Sequence, residues 1–175
     1  SDGWWKYSNS SMMDGLAVDL GYTPSGSTEF EGSVELGLTY TGVDGLTVGL
    51  ATGENKAAEG AVVDNTNVYM TYALENGFTI GFQSNESDSA TALADVDMTG
   101  YAVSYAMSEE LTISLGRNEV GYEAGAGKSD QESTGINFSY VMGSMTLSGG
   151  HSTVDNVAGV EATDNSGYEL NVAFA

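Results

Sequence analysis

The chain has 175 residues, with 25 acidic against 4 basic side chains and a formal net charge of −21. It holds 24 Gly, 1 Pro, 1 His and no Cys, and 41% of its residues are apolar. These figures exclude a nucleic-acid binder, which needs a basic footprint, a disulfide scaffold or Cys-based zinc site, a His-cluster metal centre, and a disordered chain.

Ser1-Asp2-Gly3 opens no secretory signal, since no basic and then apolar run follows. No window of about 18–20 apolar residues exists, so no transmembrane helix is expected. A β-barrel remains open, because it crosses lipid with strands of only about 9–11 residues.

Taken in order, the segments alternate with period two. Trp4–Met13 gives a first strand with a weak pattern. Leu16/Val18/Leu20/Tyr22 and Val34/Leu36/Leu38/Tyr40 are clear strands. Leu46/Val48/Leu50, Val68/Met70/Tyr72/Leu74 and Phe78/Ile80/Phe82 follow. The second half adds Tyr101/Val103/Tyr105/Met107, Leu111/Ile113/Leu115, Ile136/Phe138/Tyr140, Met145/Leu147 and Tyr168/Leu170/Val172/Phe174. Side chains alternate faces along a strand, so each run makes one apolar face and one polar or small face. Eleven antiparallel strands are predicted.

Their connections alternate too. Asp14-Gly15, Gly42–Gly45, Glu75-Asn76-Gly77, Ser108–Glu110 and Met142–Ser144 are short. Asp-Gly and Asn-Gly are tight hairpin signals, because both residue types tolerate positive φ. Long loops are expected at Thr23–Gly32, Gly53–Thr66, Glu86–Asp97, Gly121–Glu132 and Val154–Ser166. A meander with this rhythm puts turns at one rim and loops at the other.

Two architectures fit. A soluble sandwich turns its apolar face onto a core; an outer-membrane barrel turns it out into lipid and lines a lumen with the other. Four features favour the barrel. The non-apolar strand positions are small (Thr47, Gly49, Thr71, Ala73, Thr79, Gly81, Ser104, Thr112, Ser114), where a soluble sheet carries Lys and Glu. Aromatics gather near strand ends (Tyr22, Tyr40, Phe78, Tyr101, Tyr122, Tyr140, Tyr168, Phe174), as interfacial girdles do. Short turns and long loops alternate. Fifteen of the 25 acids fall in the long loops, from Glu29 and Glu31 to Asp155, Glu161 and Asp164.

Lys6-Tyr7-Ser8-Asn9, the short apolar Met12-Met13, the turn Asp14-Gly15 and the strand Leu16-x-Val18-x-Leu20-x-Tyr22 resemble the segment after the constriction loop of Gram-negative general porins. The Gly-rich, acidic style resembles alphaproteobacterial porins. Tyr168, Leu170, Val172 and Phe174 look like the C-terminal strand that barrel-assembly machinery reads. The family ends on Phe and this chain on Ala175, so a terminal aromatic is missing or the pattern is broken. The resemblance implies a 16-stranded barrel, with residues 1–175 supplying strands six to sixteen; the first five strands and the constriction loop would be absent. Single-chain bacterial barrels have even strand numbers, and an odd count agrees with an incomplete wall. It further implies a homotrimer in the outer membrane, in contact with lipid and lipopolysaccharide, passing small hydrophilic solutes without chemistry.

No catalytic constellation is visible. His151 has outward parity near the loop rim and reads as a girdle residue. Gly121–Ser129 superficially resembles a phosphate loop, but no helix-forming run follows, so it reads as an external loop. Selectivity of a pore comes from its lining charges. Parity nominates Lys6, Asp19, Glu35, Gln83, Asn118, Glu169 and Asn171 as lining residues. In the family, the strand after the constriction loop adds cations to a basic wall. Lys6 lies two residues before Ser8, which stands where the family has arginine, and so on the same face. Arg117 has outward parity and is expected at the lipid headgroups or at a bulge. Asp95/Asp97 and Asp130/Glu132 are candidate loop ligands for Ca or Mg, with solvated acidic loops as the plain alternative.

The function expected is a water-filled channel for passive diffusion of ions and small solutes, cation-biased by the net charge. The rivals are a soluble or surface β-sandwich acting as an adhesin or binding module, and a barrel serving as a surface receptor, for example for a phage.

Overall fold

The computed structural model describes residues 4–27, 30–57, 62–90, 94–123 and 126–174. Eleven strands are present: β1 (Trp5–Met13), β2 (Leu16–Ser27), β3 (Phe30–Val43), β4 (Leu46–Ala57), β5 (Val62–Ala73), β6 (Phe78–Ser89), β7 (Val96–Ala106), β8 (Leu111–Tyr122), β9 (Gln131–Met142), β10 (Met145–Asp155) and β11 (Asn165–Phe174). They form one sheet in strict chain order, each strand antiparallel to the next. All eleven expected strands are found. Strand lengths of 9 to 14 residues suit a tilted bilayer crossing.

The short turns lie where the dipeptides put them. Gly15 (φ 74°) and Gly45 (φ 73°) occupy the left-handed region that Asp-Gly hairpins require. Their carbonyls accept hydrogen bonds from Thr41 N (2.7 Å) and Ala73 N (2.8 Å) of the next hairpin, which ties adjacent turns along the rim. Leu74 and Met107 fall just past their strands, in the turns.

The long loops are shorter than expected. β2 runs on to Ser27 and β3 starts at Phe30; β4 reaches Ala57, β5 starts at Val62, and β6 reaches Ser89. The ladder continues there, with Thr52 opposite Thr66, Glu54 opposite Asp64 and Glu86 opposite Asp97, while the register shifts between Pro24 and Ser27 on β2 and between Phe30 and Gly32 on β3. Glu54, Asp64, Glu86, Asp88, Asp97, Glu132 and Asp155 therefore lie on strands rather than in loops. The physical reason is that alternation marks a strand only while its two faces meet different media. Past the lipid both faces are wet, the period fades, and the backbone ladder continues. Glu29 and Ala175 lie outside the described residues.

No layer packs on this sheet, and among the described residues no apolar side chain is buried. A sandwich would hide its apolar face, so that rival is excluded. Leu36, Val103 and Leu170 sit on β3, β7 and β11 without converging, and Leu170 is 68% exposed.

Register sorts the side chains cleanly. The apolar face carries Val18, Leu38, Val48, Met70, Ile80, Val103, Ile113 and Phe138 at mid-height. Toward the turns it ends in Tyr40, Tyr72, Phe78, Tyr105, Tyr140 and Phe174, with Phe78 and Tyr105 stacked at 4.3 Å. Toward the loops it ends in Trp5 and Tyr22, Phe82 and Tyr101 (5.4 Å), and His151 and Tyr168 (4.2 Å). These are two aromatic belts with an aliphatic band between them. Tyr122 is the exception to the expected girdle. It pairs with Val96, opposite Ser87, and so belongs to the polar face.

Candidate functional site

The polar face is where the sequence places every lining candidate, and register puts all seven on it. Lys6 is opposite Gly21, which is opposite Glu35. Asp19 is opposite Gly37, and Gln83 and Asn118 flank Gly100. Glu169 is opposite Gly150, and Asn171 opposite Ser148. Two grooves run along this face. One, of about 660 Å³, is lined by Lys6, Asp19, Glu35, Asn55, Asn65 and Asn85 among others. The second, of about 770 Å³, includes Tyr69, Gln83, Asn118 and Asn137.

Glycine explains how long side chains fit there. Glu35 lies between Gly21 and Gly53; a Cβ on Gly21 would meet its Oε2 at 3.1 Å, and one on Gly53 its Cγ at 3.3 Å. The Tyr69 ring lies over Gly49, and its hydroxyl is 3.5 Å from Thr39 Oγ1. Asn137 lies over Gly150. A bare Cα on the neighbouring strand lets each long chain lie along the wall. Tyr69, Asn65, Asn67, Asn85 and Asn137 were not singled out from the sequence. Their parity was legible, and a glycine at the paired register position is the further signal for Tyr69 and Asn137.

Lys6 and Asp19 form the charged centre of the first groove. Lys6 Nζ is 3.6 Å from Asp19 Oδ1, and Ser8 Oγ donates to the same oxygen at 2.5 Å. Next to them stands an amide row: Asn67 Nδ2 donates to Asn85 Oδ1, and Gln83 Nε2 donates to that oxygen at 3.4 Å. Amides offer both donors and acceptors without net charge.

The distribution of charge is uneven. From β4 to β10, no described polar-face position carries Asp, Glu, Lys or Arg. Charged residues on those strands take the other face, at or beyond the aromatic belt. There Lys56 Nζ is 2.7 Å from Glu54 Oε1. Arg117, opposite Tyr101, bonds Glu132 at 2.5 Å and lies 3.5 Å from Glu119. It sits at the belt with no bulge at its register position. The chain's net charge is thus a poor guide to the charge of this wall.

The metal candidates are dispersed. Asp95 Oδ1 accepts from Ser89 N at 2.7 Å, the Asp97 carboxylate lies against Gly121, the Asp130 carbonyl accepts from Asn156 Nδ2 at 2.9 Å, and Glu132 is held by Arg117. Among the described residues, no three His, Asp or Glu side chains converge. No helix follows Gly121–Ser129; Lys128 Nζ sits 4.3 Å from the Tyr122 ring centre.

A sequence model of the Gram-negative porins matches residues 1–159. No curated protein sequence matches the chain. Among solved structures, an anion-selective porin from Comamonas acidovorans superposes with a TM-score of 0.75 at 12% identity, covering 97% of this chain and 58% of that one. OmpT of Vibrio cholerae, expressed in the outer membrane, gives 0.73 at 19% identity, covering 99% and 64%. OccK5 (OpdH) of Pseudomonas aeruginosa gives 0.74 at 14%, covering 97% and 56%. The chain therefore spans less than two thirds of the length of each of these structures, and the likeness is one of fold.

Proposed function

This chain belongs to the Gram-negative porin family, and from that premise we propose that it forms much of the wall of a water-filled outer-membrane channel for passive diffusion of ions and small hydrophilic solutes. One observation carries the reading. A single-layer sheet leaves an unburied apolar face banded by aromatics, while its other face is grooved, polar and small. Lipid on one side and water on the other satisfy both faces at once. The family acts as a channel and not as an enzyme.

On this reading Lys6, Asp19, Glu35, Gln83, Asn118, Glu169 and Asn171 line the passage. Lys6 is balanced by Asp19, so Glu35 and Glu169 supply the net wall charge and a mild cation preference. Eleven strands would then be strands six to sixteen of a 16-stranded barrel, with further strands joining β11 back to β1. The Gly-rich, acidic composition supports an alphaproteobacterial type. A homotrimer, with lipopolysaccharide against the outer rim, completes the proposed assembly. The acidic outer rim is also where loop-bound Ca or Mg would act.

The test is conductance of the complete polypeptide in planar bilayers. Ohmic steps that scale with salt are expected. Insertion without such steps would overturn the reading.

A further inference from the structure

The loop after β10 is folded back over the polar face. Within it, Val157–Gly159 makes a 3₁₀ turn. Asn156 (φ 54°), Ala158 (φ 57°), Gly159 (φ 76°) and Ala162 (φ 58°) are all left-handed. For Asn156, Ala158 and Ala162 that conformation is costly, so contacts must hold it. Within the loop, Val157 N donates to Thr163 O at 2.7 Å and Ala162 N to Asn156 Oδ1 at 3.0 Å. Outward from the loop, Asn156 Nδ2 donates to Asp130 O (2.9 Å) and Ala158 N to Gln131 Oε1 (2.8 Å), while Gly159 O accepts from Ser129 N (3.0 Å).

The direction of folding follows from register. Gln131 pairs with Val120, and Tyr122 with Val96, all on the polar face. Gly159 is buried against Tyr122 and Lys128; a Cβ there would meet the Tyr122 ring at 2.7 Å and Lys128 Cβ at 2.9 Å. The loop thus leans over the polar face rather than away from it. The same face carries Val96, Met98, Val120 and Val154 on the loop-side ends of β7, β8 and β10.

We propose that residues 156–164 are a built-in cover over the mouth on the β8–β10 side, limiting the size of solute admitted, with Gly159 as its seat. This rests on the channel reading above. Lys128 packs against Gly159 with its ammonium over the Tyr122 ring, so a cation stands at the seat of the cover.

The experiment compares the complete wild-type polypeptide with two variants, Gly159→Val and a replacement of residues 157–162 by two glycines. Single-channel conductance and the swelling of proteoliposomes in neutral oligosaccharides of graded size are the readouts. Both variants are expected to raise conductance by roughly 1.5-fold and to admit larger oligosaccharides. A change in the loop replacement alone would support the cover and overturn the role of Gly159. Unchanged size limits in both, with a conducting wild type, would overturn the cover and leave the channel standing. A non-conducting wild type would overturn both.

Discussion

The Lys6 ammonium lies 3.6 Å from the Asp19 carboxylate, on adjacent strands of the same polar face. Both side chains are about half exposed to water, so the pair contributes little to stability. Its importance is electrical. Among the described polar-face positions of the strands, this is the patch where opposite charges meet, and the pair neutralises it.

Removing one partner should reveal the other. Lys6→Ala leaves Asp19 uncompensated and should raise the cation-to-anion permeability ratio by about twofold, whereas Asp19→Asn should shift it toward anions by a similar factor. Reversal potentials under a salt gradient measure both. Equal ratios in wild type and both variants would show that this patch does not border the current.

Net charge and selectivity should come apart. Neutralising Glu54, Asp64, Asp88 and Asp97 to their amides removes four negative charges from the face opposite the grooves. The reversal potential should stay within error of wild type. A ratio that falls in step with the net charge would contradict the separation of charge between the two faces.

The two faces should also differ in their tolerance of a new charge. Val103→Lys places an ammonium in the aliphatic band and should cost about 2–4 kcal/mol of unfolding free energy in lipid. Ser104→Lys, one residue on and facing the grooves, should cost less than about 1 kcal/mol. Urea titration in bilayers of defined thickness compares them; equal costs would refute the assigned orientation.

Gly49 should tolerate no side chain while Tyr69 is present. Gly49→Val collides with the ring and should destabilise by roughly 1–3 kcal/mol. Adding Tyr69→Ala should recover part of that loss. Additive effects in the double variant would show that the ring is free to leave its place.

Much of this architecture was legible from period two alone. Leu46/Val48/Leu50 and Phe78/Ile80/Phe82 are strands for the reason their spacing suggests, and Asp14-Gly15 is a turn because Gly15 takes positive φ. The same parity put Lys6, Asp19 and Glu35 on one face. Above Leu50 and Phe82 the signal ends, since Thr52, Glu54, Ser84 and Glu86 face water as do their neighbours. Strand and loop then look alike in composition, and only the ladder tells them apart. Tyr122 was misplaced for a related reason, as an aromatic at a strand end reads as a girdle until pairing with Val96 shows its side. The fold of the loop after β10 rests on hydrogen bonds with the Gln131 side chain and the Ser129 backbone, which no local pattern announces.

The strands' continuation past the upper aromatics has a topographic consequence. From Phe82 to Ser89 the backbone rises a further 20 Å or so along its own axis, or roughly 15 Å above the acyl chains once tilt is allowed for. With the aromatic belts at the membrane boundaries, the strands stand above the upper belt as a stiff collar of hydrogen-bonded sheet. Carboxylates such as Glu54, Asp64 and Asp88 are held there at fixed lateral pitch by the ladder. Whatever approaches from outside meets a patterned anionic surface before it reaches any opening.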